Sequence, residues 1–153
     1  MKILVMSDSH GAKASMLKAV ALESPDLILH LGDHAKDCTV IEWEHPAIPL
    51  RSVKGNCDRS STEPEADEFT LSGKRFFMSH GHLYGVKTGY SSIISAATGR
   101  GADVLLFGHT HIPYSNVIDN LTIVNPGSIG SGSKTYAVLG FKNGVVTYEI
   151  KTV

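Results

Sequence analysis

The chain has 153 residues and a formal net charge of −1, from 14 Lys and Arg against 15 Asp and Glu. That length suffices for one domain with a full core, and the balanced charge leaves no broad basic surface to signal nucleic acid. No apolar run approaches the ~20 residues of a membrane span, the opening MKILVMSDSH is too short for a signal segment, and two cysteines, Cys38 and Cys57, make no disulfide framework. The expectation is one domain over 1–153, cytoplasmic, with free thiols and no membrane association.

In chain order, KILVMSD reads as a buried strand with a polar exit. AKASMLKAVALES reads as a helix with Met16, Leu17, Val20 and Ala21 on one face, stopped at Ser24-Pro25. DLILHLGD is a second strand, and PLRSVKGNCD is a third that ends in a turn at Gly55-Asn56. RSSTEPEADEF reads as a solvated acidic loop. FTLSGKRFFMSHGH looks like a hairpin around Ser72-Gly73, GYSSIISAATGRGA a helix ended by glycine, and DVLLFGHTH a strand. Two further hairpins turn at Asp119-Asn120 and Asn143-Gly144. Alternating β and α elements followed by antiparallel strands predict one α/β domain of two packed sheets with helices outside. No G-x-G-x-x-G follows the first strand, which argues against a dinucleotide fold.

Five strand exits carry the same kinds of residue: Asp8-Ser9-His10, Gly32-Asp33, Gly55-Asn56-Cys57-Asp58, His80-Gly81-His82 and Gly108-His109-Thr110-His111. Ligand sites of open α/β sheets gather at carboxyl ends of strands. Taken singly, each exit has a plainer reading. Asp8 and Asp33 suit helix N-caps, Asn56 a left-handed turn, and His80, His82, His109 and His111 ordinary polar turns. His30, inside the second strand, and His45, before a proline, read as structural or surface residues; His34 sits near the exits without a role. Taken together, a cluster of imidazoles, carboxylates and an amide oxygen suits a first-row divalent metal, because buried charges must be paired or coordinated.

The ordered set D-x-H, G-D, G-N-x-D, an isolated His and G-H-x-H resembles the calcineurin-like metallophosphoesterase superfamily. The stretches SDSHG, GNCD and SHGHLY, with NPGS at 125–128, are similar to its YfcE-like branch of small prokaryotic phosphodiesterases. The resemblance implies a four-layer α/β/β/α sandwich of two mixed sheets. It implies one metal held by Asp8, His10 and His111, a second held by Asn56, His80 and His109, and Asp33 bridging the pair. Mn2+ is the ion it favours, with Ni2+, Fe2+ and Zn2+ as other fits to these ligands.

The implied reaction is hydrolysis of a small phosphodiester by a hydroxide shared between the metals, in line with the leaving oxygen and with no covalent intermediate. Asn56, Cys57 and Asp58 form the implied catalytic segment, with one departure from the family. Most members have histidine where this chain has Cys57, and that histidine is thought to help the leaving group. A thiol is the weaker donor, so aryl diesters with good leaving groups are the expected best substrates. The same change leaves the role of Asp58 open. A phosphomonoesterase on the same metals is the first alternative. Arg59 is then the nearest candidate to grip a dianion. A non-catalytic scaffold, as in the retromer subunit of this fold, is the second. A nuclease is a third, disfavoured by the lack of basic excess and of room for an added domain. Self-association is left open, and the acidic stretch 60–67 is placed at the border of the site.

Overall fold

The computed structural model describes residues 1–153. The first strand, β1 (Lys2–Met6), is buried at every position but its first. Ile3 and Val5 face one apolar cluster and Leu4 and Met6 another, which explains the unbroken apolar run. Helix α1 (Lys13–Glu23) buries Met16, Ala19, Val20 and Glu23, the 3.6-residue spacing of one face. Leu17 is only half-buried and Ala21 is exposed, which corrects the expected face: five residues from Met16, Ala21 points away from the sheet. The helix stops at Ser24, whose φ of 45° is left-handed, and Pro25 prevents continuation.

The order continues with β2 (Leu27–His30), a 3-10 turn (Ala35–Cys38), α2 (Thr39–Glu44) and β3 (Leu50–Ser52). The turn and α2 have no counterpart in the sequence reading. Only Ile41 is buried in α2, so no apolar stripe announces it. Then come β4 (Ala66–Leu71), β5 (Lys74–Ser79), α3 (Ser91–Gly99), β6 (Val104–Leu106), β7 (Tyr114–Ile118), β8 (Leu121–Asn125), β9 (Thr135–Lys142) and β10 (Val145–Thr152). The segment 59–69, read as loop, is loop only as far as Glu65; Ala66 to Phe69 begin β4, an edge strand whose half-exposed residues mask its pattern. Several strands stop short of the polar exits assigned to them. β2 ends at His30 and β6 at Leu106, because the exits turn away from the sheets.

One sheet has the order β10-β9-β1-β2-β3 and the other β4-β5-β6-β8-β7. β1, β2 and β3 are parallel, as are β5, β6 and β8, while β9, β10, β4 and β7 add antiparallel edges. Leu29, Phe76, Met78, Leu106 and Val124 fill the space between the sheets. Met16, Val20 and Ile41 cover the outer face of the first sheet, and Ile93 and Ala97 that of the second. The layers are therefore α/β/β/α, and the parallel strands of both sheets end along one rim.

Candidate metal centre

That rim carries the polar exits. Asp8 and His10 follow β1, Asp33 follows β2, Asn56 to Asp58 follow β3, His80 follows β5, and His109 and His111 follow β6. Five of these residues hold left-handed backbone: Asp8 (φ 55°), His10 (44°), Asp33 (58°), His109 (68°) and His111 (60°). Such conformations cost about 1 kcal/mol each for a residue with a Cβ and persist where the surroundings impose them. Asn56, by contrast, is outside that region, so the left-handed-turn reading does not hold for it. Neither Asp8 nor Asp33 caps a helix, since no side chain caps α1 or the 3-10 turn.

Close packing of glycines permits the approach. A Cβ on Gly108 would collide with Ser7 Oγ and lie 2.9 Å from Asp8 Oδ2. A Cβ on Gly55 would lie 2.6 Å from the Asp33 nitrogen.

The Asp8 carboxylate is fully buried and divided in use. Oδ2 accepts from Ser7 Oγ and from the His109 N–H at 3.1 Å. Oδ1 has no hydrogen-bond partner. It faces His111 Nε2 at 3.0 Å, His80 Nε2 at 3.9 Å and His10 Nε2 at 4.0 Å. Asp33 stands between two imidazoles, with Oδ2 3.8 Å from His10 Nε2 and Oδ1 3.5 Å from His80 Nε2. The Cys57 N–H donates to Asp33 Oδ1 at 2.9 Å and fixes its rotamer. His80 donates through Nδ1 to the Leu31 carbonyl at 2.8 Å, so its Nε2 is turned to the cluster, 3.0 Å from His109 Nδ1. His10 Nε2 and His111 Nε2 lie 3.4 Å apart.

Three groups of donor atoms result, each within 4.8 Å: Asp8, His10 and His111; Asp33, His80 and His109; and His10, Asp33 and Cys57. Convergent carboxylate oxygens and ring nitrogens at a buried point, one of them orphaned, fit divalent cations. Asn56 is exposed at their edge, with its amide 3.5 Å from Cys57 Sγ.

Electrostatics follow from this crowding. Burial pushes Asp33 up, but hydrogen bonds from His80 and the Cys57 N–H hold it well below the usual carboxylate range. Burial likewise opposes charge on His80, yet Asp33 and Asp8 raise it above its ordinary value. Burial and the neighbouring His80 lower His109 to about 4. Burial and Asp33 raise the Cys57 thiol, which stays protonated near neutrality.

Asp58 has both oxygens engaged, accepting from the Ala35 N–H at 3.0 Å and the Gly55 N–H at 2.9 Å. It ties the loop after β2 to the loop after β3. His34 packs its ring 5.0 Å from that of His10, while His30 is buried in β2 and accepts the Gly32 N–H. Sequence reasoning gave no role to Asp37, whose Oδ2 accepts from Ser9 Oγ and the Gly11 N–H and so shapes the first exit. NPGS signalled more than similarity. Asn125 Nδ2 donates to the Gly108 carbonyl and Ser128 Oγ to the Asp8 carbonyl, so this segment buttresses two exits at once. His82, 5.4 Å from the His80 ring, is a further neighbour of the cluster.

The chain is 35% identical over 155 residues to the Bacillus subtilis (strain 168) protein named "Probable metallophosphoesterase YsnB", covering 96% of this chain and 88% of that one. It is 27% identical over 167 residues to phosphodiesterase YfcE of Escherichia coli (strain K12), covering 91% and 87%. The structure of Entamoeba histolytica Vps29 complexed with Zn2+ superposes with a TM-score of 0.75 at 16% identity, over 99% of each chain, and shares the fold. Residues 1–144 match the calcineurin-like phosphoesterase superfamily domain. The chain belongs to that superfamily of metal-dependent phosphoesterases.

Proposed function

We propose that this protein hydrolyses a phosphodiester at a dinuclear metal centre. One ion would be held by Asp8, His10 and His111 and the other by Asn56, His80 and His109, with Asp33 serving both. The observation that carries the proposal is Asp8 Oδ1, buried with no partner and ringed by three imidazole nitrogens. Two divalent ions, when bound, supply a water acidified toward neutrality and positive charge against phosphoryl oxygens.

The chain's own groups set the rest. The Leu31 carbonyl fixes the His80 tautomer, and the Cys57 N–H orients Asp33. The family resemblance assigns position 57 to the leaving-group side, where the Cys57 thiol, kept protonated by burial and Asp33, would offer the leaving oxygen a weak hydrogen bond. The Cys57 thiol is protonated and Ser9 Oγ donates to Asp37, so neither serves as a nucleophile and the proposed hydrolysis is direct. Arg59, the candidate to grip a dianion, is exposed, which suits a diester monoanion better than a monoester dianion.

The test is hydrolysis of bis(p-nitrophenyl) phosphate beside p-nitrophenyl phosphate, after chelation and Mn2+ add-back. Metal-dependent turnover of the diester in clear excess is expected. Preference for the monoester would overturn the diester assignment. Failure to bind metal at all would favour the scaffold reading, which the likeness to the Vps29 fold keeps in view.

A further inference from the structure

A cavity of about 350 Å³ opens beside the cluster, walled by the loop after β2, α2 and residues 60–63. Cys57 belongs both to this wall and to the donor group with His10 and Asp33. His34 also lines it, and packs edge-on against His10. The cavity therefore continues from the end of the cluster where the proposed reaction releases its alcohol. Its volume is in the range of small-ligand clefts.

Its lining is unusual for such a cleft. No Phe, Tyr or Trp is present, and the one ring in the lining is the His34 imidazole, already packed edge-on against His10. Thr39, Ser60, Ser61 and Thr62 line it, with the Thr39 hydroxyl donating to the Lys36 carbonyl and the Ser61 hydroxyl accepting from the Glu63 N–H. Lys36, Glu42 and Glu63 stand among them, and none of the three makes an ion pair, although ion pairs are frequent elsewhere on the surface. Unpaired carboxylates accept hydrogen bonds strongly and repel anions. The two of them outnumber the single lysine, and burial together with Glu42, Asp37 and Glu63 raises the Cys38 thiol on the same wall.

We infer that this cavity is the leaving-group subsite and that it selects an uncharged polyhydroxy alcohol, of the glycerol, inositol or sugar class, over anionic groups. The inference rests on the phosphodiesterase reading above and names the substrate class of that site. Ligand hydroxyls donate to Glu42 and Glu63 and exchange hydrogen bonds with the Ser and Thr hydroxyls. The cleaved bond is phosphorus to oxygen; water adds to phosphorus, and the polyol leaves with a proton.

Two measurements test it. In metal-free protein, alkylation of Cys57 by iodoacetamide is timed with myo-inositol, glycerol or cyclohexanol present; Cys38 is buried and stays silent. The polyols should slow alkylation at least threefold, cyclohexanol should not, and Glu42→Leu/Glu63→Leu should abolish the protection. In Mn2+-loaded protein, the same double variant should lower kcat/KM for glycerophosphoglycerol relative to bis(p-nitrophenyl) phosphate at least tenfold. Glycerophosphoinositol beside glycerophosphoglycerol separates a ring polyol from glycerol as the preferred source. Equal protection by cyclohexanol, or an unchanged ratio between the two substrates, overturns the subsite. Loss of all diester turnover in wild-type protein overturns the phosphodiesterase reading instead, and the alkylation result still stands or falls by itself.

Discussion

The two oxygens of Asp8 have opposite environments, and that asymmetry makes a metal ligand visible without the metal. Oδ2 is held by Ser7 and His109, while Oδ1 is buried and bare. A buried carboxylate oxygen that accepts no hydrogen bond, with only the imidazoles of His111, His80 and His10 near it, costs desolvation that a bound cation would offset. Asp8→Asn should therefore leave the melting temperature of the chelated protein unchanged or raised, while lowering Mn2+ affinity and diester turnover at least about a hundredfold, the upper end of losses seen even for residues behind the ligands. Calorimetry of the metal-free variant decides; a clear drop in its melting temperature would mean that Oδ1 has a structural partner. The histidines add a pH signature. His109, held near 4, is already neutral at pH 6 and needs no deprotonation. His80 is raised, so the metal-free cluster keeps a proton above the ordinary imidazole value. Metal must displace that proton. Mn2+ affinity should rise with pH through neutrality and then level off, with about one proton released per metal-loading event, measurable by titration calorimetry in two buffers of different ionisation enthalpy. At Cys57, restoring the family's histidine should raise turnover most for alkyl diesters with poor leaving groups; an unchanged slope against leaving-group pKa removes position 57 from the reaction.

At the scale of elements, α1 is seated by an ionic contact as well as by its apolar stripe. Glu23, on its last turn, accepts from Tyr136 OH at 2.9 Å, Lys151 Nζ at 3.0 Å and Lys2 Nζ at 3.5 Å. Burial opposes its charge, but these donors hold the carboxyl below its ordinary value of 4.5. A lowered carboxyl contributes stability above the unfolded value and loses it as pH falls through the folded one. Glu23→Ala should cost about 2 kcal/mol at pH 7, because the Tyr136 hydroxyl is left buried and unpaired. Adding Tyr136→Phe should return part of it, and the gap between wild type and variant should narrow without closing as pH falls below 4.5, because only the ionic part is lost while the Tyr136 hydroxyl stays unpaired in the variant. Denaturant melts at pH 7 and pH 4 read both effects. The strands behind the site were legible because their apolar runs are continuous, as in KILVM, and the hairpins because Asn143-Gly144 and Asp119-Asn120 carry turn chemistry. The apolar face of α1 was misplaced at Ala21, and α2 was missed, since Trp43 on that short helix is exposed and gives no periodic signal. Among site residues, Asp8, His10, Asp33, His80, His109 and His111 stood out by position at strand exits. Asp37 did not, because a side-chain hydrogen bond across distant segments leaves no mark on local sequence, and Asn125 and Ser128 were marked only by the resemblance of NPGS, which gave them no role.

For the whole molecule, the decisive feature is that the cluster belongs to neither sheet alone. Asp8, His10 and Asp33 leave strands of the first sheet, and His80, His109 and His111 leave strands of the second. Each group of donors mixes the two, apart from His10, Asp33 and Cys57. Metal binding must then clamp the sheets together across the core formed by Leu29, Met78, Leu106 and their neighbours. A ligand that binds only the folded state adds about 2.7 kcal/mol at a hundred times its dissociation constant. For a domain of this size that is a rise of about 5–10 °C in melting temperature. Mn2+ should give a rise of that order, and EDTA should reverse it. His109→Ala removes a proposed second-sheet ligand and should leave a smaller rise, from the ion proposed at Asp8, His10 and His111. His109→Ala with His111→Ala removes that sheet's β6 contribution from both groups and should abolish most of it. If the double variant still gains the full increment from Mn2+, the ions sit on one sheet alone, and the clamp is wrong while the fold stands.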